Sequence, residues 1–305
     1  MANEIRVGII GFDTSHVVAF TKLLSDTNDP HYVPGARVVA GYPSFSPDLP
    51  SSYTRVEGYK KELTEKWGVK LVDSIPELLD RVDAVLLESV DGRRHLKEAE
   101  PVLRVRKPVF IDKPLAASYA EAAAIINLAR QYNCPMFSSS SLRFDANIAA
   151  AKDDPELGQV LGCDAFSPAS LDPTNPGLFW YGIHGVEILY TFMGTGCQKV
   201  FCTKTDTYHL VVGTWAQGRL GTMRGTRAGS HSYGATVFGE KKFVQVTYSS
   251  QVPFYAQLLR QIIQFFQGKP APVSLEETQE LMAFIQAALV SEQENRQVSL
   301  SEIMK

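Results

Sequence analysis

The stretch Val7-Gly-Ile-Ile-Gly-Phe-Asp-Thr-Ser-His16 decides the fold. It completes an apolar, β-branched run, Ile5–Ile10, meets Gly11, and passes into a helical pattern over residues 15–24. A buried strand, a glycine turn and a helix in that order form the opening of a βαβ unit. Backbone amides at such a turn, with the helix N-terminus behind them, can receive a pyrophosphate. The full fingerprint asks for three glycines: one for the tight turn, one for close approach of backbone to phosphate, one for helix–strand packing. Gly11 meets the first requirement, but Asp13 stands at the second position and His16 at the third. Asp13 beside a pyrophosphate repels it unless its carboxylate turns away or caps the helix. Asp13, Thr14 and Ser15 are also ordinary N-cap residues. The candidate cofactor turn is therefore Gly11, Phe12, Asp13, Thr14, Ser15 and His16, supported more by its setting than by its glycines.

Outward from this turn, the first half alternates strand and helix. Strands are expected over 37–40, 82–87, 108–111 and 135–138, and helices over 57–67, 76–80, 93–106 and 118–132. Strands separated by helical patterns imply right-handed crossovers and a doubly wound parallel sheet covered on both faces. Ligands of such sheets lie at the carboxyl ends of the strands. The second strand ends Ala40-Gly-Tyr42, with no acid where a ribose ligand is expected, and a Pro/Ser-rich loop follows to Val56. The adenosine side is thus unusual, covered by this loop, or absent.

The second half reads differently. A helix over 182–193 precedes short alternating segments at 199–204, 209–215, 219–224, 235–238 and 243–248, which argue for an antiparallel sheet. Two amphipathic helices, 253–266 and 275–292, close the chain, separated by the stop Gly268-Lys-Pro270. The boundary is placed near Leu142, giving a dinucleotide-binding type of domain over 1–142 and a substrate-binding and oligomerisation domain over 143–305.

Bulk composition bounds these expectations. With 305 residues, two domains are the prior at roughly 100–200 residues each. A net charge of −3 argues against nucleic acid as partner. Neither a leader-like apolar region nor a stretch of the roughly 20 apolar residues needed to span a bilayer is visible, so no membrane is expected. The four cysteines show no CxxC and no metal-like pairing with histidine, which fits a reduced cytoplasmic protein with no metal.

Two further stretches carry chemistry. In Pro108-Val-Phe-Ile-Asp-Lys-Pro114, Lys113 follows a buried strand at the edge where a ligand belongs, and Pro114 keeps it extended. Partial desolvation there would lower its pKa towards useful acid–base values. In Trp180-Tyr-Gly-Ile-His-Gly-Val-Glu187, His184 and Glu187 share a helix face, so the carboxylate is expected to orient the imidazole and make it more basic.

With these stretches together, the chain resembles the Gfo/Idh/MocA oxidoreductases over essentially its full length. The family's Glu-Lys-Pro is similar to Asp112-Lys113-Pro114, and its fourth-strand stretch ending in histidine to residues 85–95, with Glu88, Ser89 and His95. Its Arg-Phe near the domain junction is similar to Arg143-Phe144, and its D-x-x-x-H-x-x-D helix start to Trp180, His184 and Glu187. The resemblance implies a Rossmann domain followed by an open-faced α/β domain, NAD or NADP, and a sugar, cyclitol or related polyol as substrate. It implies hydride transfer at a hydroxyl carbon, with Lys113 and His184 as catalytic residues handling the proton. Tyr42, Glu88, Ser89, His95 and Asp112 join the turn as cofactor residues, while Arg143, Trp180, Tyr181 and Glu187 face substrate. A homodimer or homotetramer through the C-terminal sheet follows from the same likeness.

Three departures stand out: Asp13 and His16 for glycines, Gly41-Tyr42 for the ribose acid, and Trp180 for the family's catalytic aspartate. They leave two alternatives to net hydride transfer. One is a glycosidase or lyase that uses bound NAD without net redox change. The other is a binding or regulatory member that has lost efficient cofactor binding.

Overall fold

In a computed structural model, residues 4–249 and 251–305 are described. Contacts divide the chain into two compact units that are not consecutive stretches. The first comprises residues up to 116, 121–139 and 255–275; the second holds 117–120, 140–254 and 276–305. These units differ from a single cut near Leu142 at residues 117–120 and 140–142 and at 255–275, the last holding most of the helix of residues 254–266. The apolar face of this helix explains the last difference: Phe265 packs edge-on against Phe137 with centroids 5.0 Å apart.

The first unit follows the strand–helix alternation. Its order is β1 (Ile5–Ile10), α1 (His16–Ser25), β2 (Ala36–Tyr42), α2 (Pro50–Tyr53), α3 (Val56–Trp67), β3 (Lys70–Leu71), α4 (Ile75–Leu79), β4 (Ala84–Leu87), α5 (His95–Arg104), β5 (Val109–Asp112), α6 (Tyr119–Tyr132) and β6 (Met136–Ser139). The six strands are parallel in the order β3-β2-β1-β4-β5-β6. Every residue of β4, β5 and β6 is buried, as strands covered on both faces must be. The strand order reverses direction between β1 and β4, and a crevice at that switch point is where such sheets bind ligands. The Pro/Ser-rich stretch after β2 is not structureless. It holds the short helix α2 and buries Ser44, Ser46, Leu49 and Ser52.

The second unit contains α7 (Ala146–Lys152), β7 (Val160–Pro168), α8 (Ile183–Met193), β8 (Cys197–Lys204), β9 (Tyr208–Trp215), β10 (Leu220–Thr226), β11 (Gly234–Gly239) and β12 (Phe243–Thr247). After α9 (Phe254–Phe266) come α10 (Leu275–Glu294), β13 (Val298–Ser299) and α11 (Leu300–Ile303). The seven strands run β12-β11-β7-β10-β9-β8-β13, antiparallel except for the β7–β10 pair. All eleven residues of α8 are buried. The helix lies close to the sheet because Gly185 has no side chain; a Cβ there would stand 2.7 Å from Ser167 Oγ. The aromatic core beside it joins Tyr190, Trp215 and Phe284.

The opposite face of this sheet is open. Register places Phe201 against Val212, Leu220 against Gly162 and Phe238 against Phe243, all on the side away from the buried positions. Phe243, Leu220 and Phe238 are 65%, 53% and 43% exposed. Among the described residues, no helix is long and apolar enough to cross a membrane.

Candidate active site

In the first unit, the turn after β1 is built around Gly11, whose φ is +87°. Ser89, at the end of β4, fills the place a side chain would take: a Cβ on Gly11 would lie 2.4 Å from its N and Oγ. The amides that follow are directed sideways into the protein's own β2 extension. Gly11 N donates to Tyr42 O at 3.1 Å and Phe12 N to Ser44 O at 3.1 Å. The Asp13 carboxylate does not cap α1. It is fully buried, accepting from Ser52 Oγ at 2.6 Å and from Val90 N at 3.0 Å. Burial raises its pKa, and the two hydrogen bonds only partly offset that. The serine loop is bound to the same region throughout: Ser46 Oγ donates to Asp91 at 2.7 Å, and Ser44 Oγ lies 3.3 Å from Ser89 Oγ. In the sequence this loop stands out only by its composition, and nothing there singles out any one of its serines.

His95 is fully buried and braces the β4–α5 connection. Its Nε2 lies 2.7 Å from Ser89 O and its Nδ1 3.2 Å from Leu115 O. Each ring nitrogen thus faces a backbone carbonyl, and the ring shapes the turn. Thr14 is buried, Ser15 is exposed at the start of α1, and Tyr42 is half-buried.

His16, Glu88 and Asp112 converge at the carboxyl edge of β1, β4 and β5. His16 Nδ1 is 2.9 Å from Asp112 Oδ2 and 3.5 Å from Glu88 Oε2. Burial disfavours a charged His16, but Asp112 and Glu88 outweigh it and raise its pKa well above the usual value. Burial pushes Glu88 up to about 8, while for Asp112 the same cost is overcome by His16 and Lys113, which hold it at about 2. Lys113 follows directly, half-buried, with a cis peptide bond to Pro114.

In the second unit, His184 lies in the first turn of α8 and is 8% exposed. Its ring meets Ser140, a partner outside its own helix. Ser140 Oγ sits 2.7 Å from His184 Nδ1, and Glu187 Oε1 accepts from Ser140 N at 3.1 Å. The spacing does put both residues on one side of α8, but the Ser138–Ser141 run comes between them. Glu187 also accepts from Arg143 Nε at 2.8 Å, and Arg143 Nη1 donates to Glu277 at 2.6 Å. Burial raises the Glu187 pKa and is opposed by the Arg143 charge. Arg143 and Glu187 are both buried and paired with each other, so they brace the site from behind. Tyr181 packs edge-on against His184 at 5.1 Å, and Tyr233 donates to its hydroxyl at 3.1 Å. Trp180 is half-buried. A cleft of about 440 Å³ opens beside Tyr181, lined also by Ser170, Leu171, Thr226, Arg227 and His231. Ser140, Tyr233 and this lining were not legible as site residues; the serine run was the only signal.

The sheet order, the Gly11 turn and the Asp-Lys-Pro edge together match a known family. Residues 5–140 fit the profile of the oxidoreductase family with NAD-binding Rossmann fold. That family is Gfo/Idh/MocA, and the match covers just under half of this chain. The chain is 26% identical over 209 residues to myo-inositol 2-dehydrogenase of Thermotoga maritima, covering 59% of this chain and 62% of that protein. The match therefore spans about three fifths of the curated relative's length. Scyllo-inositol dehydrogenase of Lactobacillus casei, solved with NAD(H) and scyllo-inositol bound, superposes with a TM-score of 0.78 at 15% identity, covering 98% of this chain and 100% of that one. Myo-inositol 2-dehydrogenase of Lactobacillus plantarum gives 0.79 at 14% identity, covering 97% and 99%. Likeness at that identity establishes the fold alone: a parallel Rossmann-like domain and a mixed, mostly antiparallel sheet domain.

Proposed function

We propose that the protein is an oxidoreductase acting on a hydroxyl-bearing carbon of a cyclitol or sugar-like polyol, with NAD or NADP as hydride partner. The observation that carries this reading is Lys113, half-buried at the carboxyl end of β5 in a domain of the NAD-binding family. The cofactor is proposed to lie at the carboxyl edge of β1 and β4, beside the Gly11 turn. The residues proposed to hold it are Gly11, Phe12, Thr14 and Ser15 at the pyrophosphate, with Tyr42 at the adenosine side. When bound, the nicotinamide accepts or returns a hydride. Lys113 is proposed to take the hydroxyl proton from substrate. His184 is proposed to hydrogen-bond substrate, its ring fixed by Ser140 and by the edge of Tyr181. Glu187 and Arg143 hold Ser140 in place. Tyr181 and Trp180 supply the aromatic surface on which a polyol ring can rest.

One observation favours a second reading. Asp13 and the buried serine loop occupy the pyrophosphate side, and the Gly11 and Phe12 amides are already paired. A polyol-binding family member without a dinucleotide follows if this closure persists in solution. Calorimetric titration with NAD⁺ and NADP⁺, alongside turnover of myo-inositol and scyllo-inositol followed by nicotinamide absorbance, separates the two. Binding with turnover of either polyol supports the first reading; no binding up to millimolar concentration refutes it.

The open face of the second sheet is proposed to join copies of the chain into a homodimer or homotetramer. The four cysteines are buried and unpaired, which supports a reducing compartment, and the cytoplasm is the proposed location.

A further inference from the structure

We propose that His16, Glu88 and Asp112 form a binding site for one divalent cation of the Mn²⁺ or Zn²⁺ type. Among the described residues, this is the one group of three such side chains whose ligand atoms all lie within 4.8 Å of one another. Their residues are 7%, 0% and 2% exposed.

The hydrogen bonds do not account for the cluster. Glu88 Oε1 and Oε2, Asp112 Oδ1 and His16 Nδ1 are all buried without a hydrogen-bond partner. A buried polar atom left unmade costs about 1–3 kcal/mol, more when charged, so four at one point need an explanation. Asp112 Oδ2 is only 2.9 Å from His16 Nδ1. That is where a second ligand of a shared ion sits. Ligand atoms about 2.1 Å from one metal are about 3.0 Å apart at a right angle and about 3.4 Å apart at the tetrahedral angle. The two separations from His16 Nδ1, 2.9 and 3.5 Å, fall at these values.

The fold brings the three together through the order of the sheet. β1, β4 and β5 are neighbours, so the residues at and just beyond their carboxyl ends meet at one edge. One imidazole and two carboxylates form a borderline-hard donor set, suited to Mn²⁺ or Zn²⁺ and poor for soft ions. Two carboxylates and a neutral imidazole also cancel the +2 charge of the ion. Three protein ligands leave at least one position for water or another oxygen.

The test uses the full chain, stripped with a chelator and dialysed. It is titrated calorimetrically with MnCl₂ and separately with ZnCl₂, and bound metal is counted by mass spectrometry after desalting. About one ion per chain is expected, with Glu88→Gln and Asp112→Asn each weakening binding by at least about tenfold. Co²⁺ loaded into the wild-type chain is expected to give visible ligand-field absorption that Glu88→Gln loses. The wild-type stoichiometry decides the matter even if a variant fails to fold: no ion retained overturns the proposal. Equal affinity in the wild type and a folded Glu88→Gln chain also overturns it, because the ion then binds elsewhere. None of these readouts depends on NAD(P) or on turnover, so they fail independently of the proposed activity.

Discussion

Asp13→Asn is the most direct probe of how the crevice admits a dinucleotide. The substitution removes charge while keeping shape. The carboxamide oxygen can still accept from the Val90 amide, now 3.0 Å from Asp13 Oδ1, and its nitrogen can pair with Ser52, now 2.6 Å from Oδ2. Stability should therefore change by no more than about 1 kcal/mol. Cofactor affinity should change much more. Two unit charges about 5 Å apart interact by about 3 kcal/mol at an effective dielectric of about 20. A pyrophosphate on the 11–15 turn falls within about that range of Asp13. After screening and partial protonation, about 1.5–3 kcal/mol of repulsion is relieved, equal to a Kd about ten- to a hundredfold lower.

Burial raises the Asp13 pKa, so lowering the pH protonates the group and should tighten wild-type binding, while the asparagine variant stays flatter. Asp13→Gly separates charge from space. It leaves the Val90 N–H and the Ser52 hydroxyl proton without their Asp13 acceptor and costs about 2–4 kcal/mol of stability. The assay is calorimetric titration with NAD⁺ at low salt, with melting curves as the fold control. An asparagine variant of unchanged melting temperature and unchanged Kd would refute the electrostatic argument. Tightening by the glycine variant alone would assign the obstruction to volume.

Lys113→Ala is expected to lower kcat by about 10²–10⁴-fold with little change in NAD⁺ affinity, checked by steady-state kinetics on the inositols and by titration. Unchanged turnover removes Lys113 from the mechanism. Ser140→Ala, which frees the His184 ring, should reduce kcat about tenfold and shift the pH–rate profile, with Ser140→Thr restoring part of the loss. Phe238→Asp together with Leu220→Asp should lower the mass measured by light scattering if the open sheet face joins subunits; an unchanged mass excludes that face. His209 provides a pH test. Burial lowers its pKa, only partly offset by Glu292, and Arg227 donates to its Nδ1 at 2.7 Å, so the folded chain resists protonation that the unfolded chain accepts below about 6.5. Stability should thus fall as pH drops through that value, by up to about 1.4 kcal/mol per unit, and less steeply in His209→Gln. Parallel urea melts at neutral and mildly acidic pH would show it.

The parallel sheet was legible because β4, β5 and β6 are buried runs bracketed by turn residues, a pattern set by local chemistry alone. β7 was not, because its inward positions are Cys163, Ala165 and Ser167. Small residues are needed there for α8 to approach, and small residues carry little hydrophobic signal. The same logic separates the site residues. Lys113 could be placed from sequence since its position depends on one strand and one proline. Ser140 as a partner of His184 could not, because it reaches the ring from 44 residues away.

The departures from the family pattern are connected in the same non-local way. A glycine replaced by Asp13 would be a simple loss if the loop after β2 were ordinary, yet Ser52 in that loop and Val90 after β4 are placed to receive the new carboxylate. A second glycine replaced by His16 is likewise matched by Glu88 and Asp112 on two other strands. Substitutions that acquire buried partners on separate segments are built features of the crevice, not decay of a turn. The carboxyl edge of this sheet therefore holds a distinct polar arrangement, and the chemistry of the protein depends on what that arrangement binds.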